Sequence, residues 1–98
     1  MTITKKTEGT ALIISLEGRL DTSTAPELEA ELNTSLNGVS VLTLDLADLL
    51  YLSSAGLRVI LAAQKRMNKQ GSMTVTHVCD EIMEVFEITG FVDILNIK

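Results

Sequence analysis

The sequence predicts an α/β fold: one mixed β-sheet of about four to five strands, in the order β-β-α-β-α-β-α, with helices packed against it. Runs with strand periodicity alternate along the chain with runs spaced like amphipathic helices. Strand-helix-strand units favour parallel pairing, and a hairpin at the start adds an antiparallel edge. A length of 98 residues suits one domain, which we expect to span 1–98.

The chain opens with two predicted strands. Residues Met1–Lys6 form a weak strand candidate, and Glu8-Gly9 supplies the turn that follows it. Thr10–Glu17 alternates between two faces, one of which is fully apolar, so it is predicted to be a strand against the core.

A helix and a buried strand come next. Thr24-Ala25-Pro26-Glu27 is typical of a capping box, in which Thr24 accepts a backbone N–H and Glu27 reaches back. Leucines at helical spacing follow, and Asn37-Gly38 ends the helix. Val39–Leu46 is apolar with little alternation, which predicts a central strand covered on both faces that ends near Asp45 and is followed by a loop.

The second half repeats this alternation. A second helix is predicted to start at Ser54 and to stop at Gly71, and Ser72–Val78 is a further strand. Asp80–Thr89 is the third helix. The short apolar tail Phe91–Ile97 is predicted to be a final strand.

Composition excludes several classes of function. The chain has 8 basic and 13 acidic residues and a net charge of −5, which disfavours nucleic acid because phosphate contacts need Lys and Arg. Aromatic residues are 3%, too few for stacking on single-stranded bases. No apolar run approaches the roughly 18 residues of a membrane span. With one cysteine and no signal peptide, a cytoplasmic location without membrane insertion is expected.

Two adjacent serines stand directly before the second helix. Ser53 and Ser54 occupy its N-cap and first-turn positions, and simple capping by serine explains them. A helix N-terminus also stabilises an added phosphate through its unpaired N–H groups and partial positive charge. Gly56 costs about 0.8–1 kcal/mol of helix propensity relative to Ala, so either a partner or the sheet approaches closely there.

Four short segments together give the chain a family resemblance. They are Gly18-Arg19-Leu20-Asp21, Leu44-Asp45-Leu46, Ser53-Ser54-Ala55-Gly56-Leu57 and Thr89-Gly90-Phe91. In this order and at these spacings the chain resembles the STAS domain, the family of bacterial anti-sigma factor antagonists that is also found at the ends of sulfate transporters. The resemblance covers essentially the whole chain and implies the STAS fold, whose element order is the one predicted above.

The resemblance implies a phosphorylation switch. The family's phosphorylated serine corresponds to Ser54. The unphosphorylated protein binds an anti-sigma factor serine kinase and frees the sigma factor, and a PP2C-type phosphatase resets the system; no cofactor is implied. The residue before this serine is commonly aspartate in the family and is Ser53 here, which makes Ser53 the alternative phosphoacceptor.

A switch surface around these serines is expected to contact the partner. Asp21 matches a family acidic residue near the phosphoacceptor, and Asp45 matches the acidic residue at the end of the central strand. The complete predicted surface consists of Asp21, Thr22, Asp45, Tyr51, Ser53, Ala55, Gly56 and Leu57.

Two alternatives remain open. One is a STAS subunit that is not phosphorylated and acts as an adaptor in a transport or signalling assembly. The other is a small hydrolase that uses Ser54 or Cys79, with His77 as base, although no third group is apparent to orient that histidine. The single His and single Cys would need carboxylates to complete a zinc site, so no metal is expected.

Overall fold

The computed structural model describes residues 1–98 and contains seven helices and strands followed by a short 3₁₀ turn. Their bounds are β1 Thr2–Glu8, β2 Ala11–Leu20, α1 Ala25–Ser35, β3 Val41–Leu52, α2 Ser54–Gln70, β4 Ser72–Thr76, α3 Asp80–Thr89 and the 3₁₀ turn Phe91–Asp93. The predicted order β-β-α-β-α-β-α is therefore confirmed. No helix is both long enough and apolar enough to cross a membrane.

The four strands form one mixed sheet in the order β1-β2-β3-β4. β1 pairs with β2 in antiparallel orientation through a tight turn at Gly9, whose φ of 60° suits glycine. β2 with β3 and β3 with β4 are parallel, as the strand-helix-strand units predict. Because these three strands run the same way, their carboxyl ends lie at the same side of the sheet.

Aliphatic side chains from one sheet face and from the helices form the core. Over residues 11–16 and 41–46 the two central strands bury every second residue, while intervening residues such as Ile13 and Thr43 are only half-buried, so the predicted cover on both faces of the central strand is wrong. The largest fully buried side chains are Phe86, Ile14, Leu16, Leu20, Leu28, Leu36, Leu42, Leu44, Leu46, Leu49, Ile60 and Met67. The scarcity of aromatic residues thus leads to a core of interlocking Leu and Ile.

The central strand is longer than predicted. The prediction that this strand ends near Asp45 and is followed by a loop is wrong, because β3 continues to Leu52. β2 also extends to Leu20 and remains paired with β3 through two register shifts. Such bulges let two strands stay hydrogen-bonded while they bend, so pairing rather than local sequence sets where β3 ends.

Two predictions at the chain's turns are also corrected. The capping box at Thr24 does not form: its Oγ1 accepts from Asp21 N at 2.9 Å and donates to the Arg19 carbonyl at 2.8 Å. This hydroxyl is therefore used to close the turn after β2. The strand predicted at Phe91–Ile97 is a 3₁₀ turn followed by a single parallel bridge from Ile97 to Val75.

Candidate functional site

The two serines lie where β2 and β3 end side by side. The Ser53 amide donates to the Leu20 carbonyl at 2.9 Å, which extends the pairing of the two strands to the start of α2. Asp21 and Thr22 directly follow Leu20. The structure therefore brings these two predicted site residues next to the serine pair, from a part of the chain about thirty positions away in sequence.

The hydroxyl groups of the two serines have different roles. Ser53 is the N-cap of α2, with extended backbone angles, and its Oγ accepts a hydrogen bond from the Gly56 amide at 3.4 Å. Ser54 is the first residue of the helix; it is exposed and its side chain makes no hydrogen bond within the protein. The capping interpretation is thus correct for Ser53 and leaves the Ser54 hydroxyl free.

The α2 helix itself favours an added negative charge at Ser54. The first turn of α2 contains no acidic residue, whereas α1 has Glu27 there and α3 has Asp80 and Glu81. A helix N-terminus carries about half a positive charge, which nearby carboxylates normally offset. α2 is the only α-helix of the chain whose first turn has no carboxylate to offset this partial charge.

Tight packing accounts for Gly56. A Cβ atom at this position would lie 2.6 Å from Leu20 Cγ and 2.8 Å from Leu52 Cδ1. Gly56 and Leu57 are both buried, and Ala55 is half-buried. These three members of the predicted switch surface therefore lie largely beneath Ser54 and seat the first turn of α2 on the sheet.

Asp21 organises the loop beside the serines. Its Oδ1 accepts hydrogen bonds from Ser23 Oγ at 2.8 Å, Ser23 N at 3.0 Å and Thr24 N at 3.2 Å. These bonds, led by the one from the Ser23 hydroxyl, hold the pKa of the Asp21 carboxyl below its ordinary value of 3.8. Asp21 is consequently a fixed negative charge at neutral pH.

Three exposed residues, Arg19, Leu50 and Tyr51, lie near the ends of the paired strands β2 and β3. The sequence prediction includes only Tyr51 of these. The Arg19 guanidinium stacks 4.2 Å from the centre of the Tyr51 ring, and its Nε lies 3.7 Å from Asp21 Oδ2. Tyr51 is 41% exposed and Leu50 is 76% exposed. Leu50 could not be identified from sequence, because its exposure depends on the register of β3 against β2.

Asp45 is separated from this group. It pairs with Thr76 on β4 and with Ser15 on β2, whereas Ser53 bonds to Leu20, so five residues of β2, roughly 17 Å, separate the two. Its Oδ1 instead lies 3.0 Å from Nδ1 of His77, which follows β4 and has a φ of 56°. Asp45 is thus part of a second polar feature rather than of the serine site.

The Asp45–His77 pair bears on the hydrolase alternative. The carboxylate is the orienting group that the sequence did not reveal, so that expectation is corrected. However, no serine, threonine or cysteine side chain hydrogen-bonds to His77, and Cys79 precedes α3 as a half-buried N-cap. The structure contains no group of three or more His, Cys, Asp or Glu side chains that could hold a metal ion. The elements of a nucleophile-base-acid arrangement are therefore not assembled.

Comparison with known proteins assigns this fold to a known domain family. Residues 2–98 match the STAS domain, and the chain belongs to that family. It is 40% identical over 88 residues to BtrV of Bordetella bronchiseptica, a protein named as an anti-sigma factor antagonist, covering 88% of this chain and 76% of BtrV. It is 31% identical over 86 residues to the anti-sigma-B factor antagonist of Bacillus subtilis, covering 87% of this chain and 79% of that protein.

A solved structure supports the same fold assignment. The unphosphorylated form of the anti-sigma factor antagonist SpoIIAA superposes with a TM-score of 0.85 at 16% identity, covering 99% of this chain and 88% of SpoIIAA. The phosphorylated form of Bacillus SpoIIAA gives a TM-score of 0.77, covering 99% of this chain and 91% of that chain. The expected STAS fold is confirmed.

Proposed function

We propose that this protein is an anti-sigma factor antagonist that acts as a phosphorylation-switched binding module. With Ser54 unmodified, it binds an anti-sigma factor serine kinase and thereby frees the sigma factor. Phosphorylation of Ser54 by that kinase ends the interaction, and a PP2C-type phosphatase restores it. The protein works in the cytoplasm by binding and not by catalysis.

The free hydroxyl of Ser54 is the observation that carries this proposal. It is exposed, makes no internal hydrogen bond, and stands at the helix N-terminus whose first turn has no acidic residue. A phosphate there adds about −1.5 to −2 charges, which the α2 N-terminus stabilises, so the fold tolerates the change. The relatives' shared name and the existence of SpoIIAA in both forms are consistent with such a switch.

The neighbouring residues explain how one phosphate can end binding. Leu50 and Tyr51 are exposed side chains three and two residues before Ser53, and tyrosine is one of the residues that act as anchors when they are desolvated in an interface. A charged phosphate at Ser54 would have to be stripped of water in the same interface, and that cost disfavours docking. The proposed docking surface is therefore Leu50, Tyr51, Arg19 and Ser54, with Asp21 and Thr22 at its rim.

Phosphopeptide mass spectrometry tests the proposal. The purified protein is incubated with ATP and the anti-sigma factor kinase of the same genome, and we expect one phosphate, on Ser54. Ser54→Ala should bind the kinase whether or not ATP is present, and Ser54→Asp should fold normally but bind weakly.

Ser53→Ala is the matched control, because it removes the adjacent hydroxyl and leaves Ser54 in place. This variant should still gain the phosphate. Modification of Ser53 instead would move the switch to the capping residue and contradict the proposal. Absence of phosphate from both serines would favour the non-phosphorylated STAS adaptor.

A further inference from the structure

Arg58 lies one helical turn after Ser54 on the exposed face of α2. Both residues are exposed, and residues four apart in a helix share a face, with about 5–6 Å between their Cβ atoms. In such pairs the favourable order has the anionic residue on the N-terminal side. A phosphate on Ser54 would therefore meet the Arg58 side chain in the preferred arrangement.

Arg58 has no partner elsewhere in the chain. No carboxylate oxygen lies within 4.0 Å of it, and its guanidinium makes no side-chain hydrogen bond. The other arginines are engaged: Arg19 with Asp21 and Tyr51, and Arg66 with Asn37 and Gln70. Arg58 is thus the arginine nearest Ser54 along the helix that is free to take a new anionic partner.

The chemistry of the two groups is complementary. A phosphoserine presents three strong acceptor oxygens, and guanidinium offers a planar fork of N–H donors that can bind two of them at once. Lysine offers the same charge without this fork. The pair is therefore specific for arginine in geometry, while a lysine would keep only the charge attraction.

We propose that Arg58 is the intramolecular counter-ion of the Ser54 phosphate. The proposal rests on the proposed function, in which Ser54 carries the phosphate. In the unmodified protein the Arg58 guanidinium is available to an acidic group of the partner. Phosphorylation both introduces a negative group and withdraws this cation, so one modification changes two features of the docking surface.

Phosphorus-31 NMR on protein with genetically encoded phosphoserine at position 54 tests the pairing without any kinase. The second ionisation of phosphoserine falls near pH 6, and a neighbouring cation lowers its pKa. We expect the phosphoserine of the Arg58→Gln variant to titrate about 0.3 pH unit higher than that of the wild-type chain. Arg58→Lys should recover part of this difference.

Lys65→Gln is the matched control, because it removes an exposed cation from the same helix eleven residues beyond Ser54, and it should titrate like the wild type. Arg19 and Asp21, the other charges beside the site, stay unchanged in every variant. If the phosphoserine titrates at the same pH in Arg58→Gln and in the wild type, the pairing is overturned. The pairing is also overturned if Arg58→Lys titrates at the same pH as Arg58→Gln. Failure of a kinase to modify Ser54 would contradict the proposed function but would not alter this result.

Discussion

The first turns of α2 and α3 both follow parallel strands, yet they are stabilised in different ways. α3 starts at Cys79 without a side-chain cap and has Asp80 and Glu81 in its first turn. α2 starts with a hydroxyl cap from Ser53 and has no carboxylate there. The first turn of α3 therefore offsets its own partial charge, whereas α2 has no carboxylate of its own there and the fixed charge of Asp21 lies in the neighbouring loop. This difference between the helices is consistent with the proposed addition of a phosphate at α2.

The largest expected effect tests the close seating of α2 on the sheet. Gly56→Ala places a methyl group 2.6 Å from Leu20 Cγ, and overpacking of this kind costs about 1–3 kcal/mol. Alanine returns about 1 kcal/mol of helix propensity. We expect a net loss of roughly 0–2 kcal/mol in the free energy of unfolding, measured by urea denaturation.

Leu20→Ala provides the control for this prediction. It removes Leu20 Cγ, the nearest atom that the new methyl group would strike, and leaves Leu52 Cδ1 at 2.8 Å, so the cost of Gly56→Ala should be smaller but not abolished in the Leu20→Ala background. If Gly56→Ala were more stable than the wild type, the first turn of α2 would not be packed tightly against the sheet.

The two caps are expected to respond in opposite directions. Ser53→Ala removes the hydrogen bond to the Gly56 amide and should lower stability by about 1 kcal/mol. Cys79 has extended backbone angles that suit an N-cap but makes no such bond. Cys79→Ser should therefore raise the free energy of unfolding, by about 0.5–1 kcal/mol. If neither substitution changes the free energy of unfolding in urea denaturation, side-chain capping does not distinguish these helices.

A smaller effect measures the attraction that the first turn of α2, together with Arg58 at the i+4 position, exerts on a negative charge at position 54. Ser54→Asp supplies a carboxylate to its first turn and should stabilise the protein by about 0.3–1 kcal/mol at low salt. Glu81→Gln removes one from α3 and should destabilise it by a similar amount. Both changes should shrink in thermal unfolding at about 1 M salt, because exposed charges are screened there. A salt-independent effect would point to a cause other than charge attraction at the helix N-termini.

The smallest effect concerns the loop beside α2 and appears only in acid. Hydrogen bonds hold the pKa of Asp21 below 3.8, so its contribution is fully present above that pH and is lost as the pH falls through the lower folded value. Asp21→Asn should make the stability flatter with pH in this range, as followed by urea denaturation at decreasing pH. Asp48→Asn, which removes an exposed carboxylate elsewhere in the chain, is the matched control for the loss of one negative charge.

Signals within a few residues were sufficient to predict the helices. α3 begins at Asp80 and ends at Thr89 as expected, because Gly90 adopts the left-handed conformation that stops a helix. The end of β3 was not predictable in this way. Its last residues lack a clear strand pattern of their own and remain extended because β2 pairs with them.

The sequence by itself determined the order of the elements, the apolar face of each helix, and the position of two serines at the start of α2. These features depend on local propensity and on periodicity, which neighbouring residues define. Only the tertiary structure decided that Ser53 caps while Ser54 stays free, that Gly56 makes room for Leu20, and that Asp45 belongs with His77. Those outcomes depend on strand register and on hydrogen bonds between distant segments, which exist only once the sheet has formed.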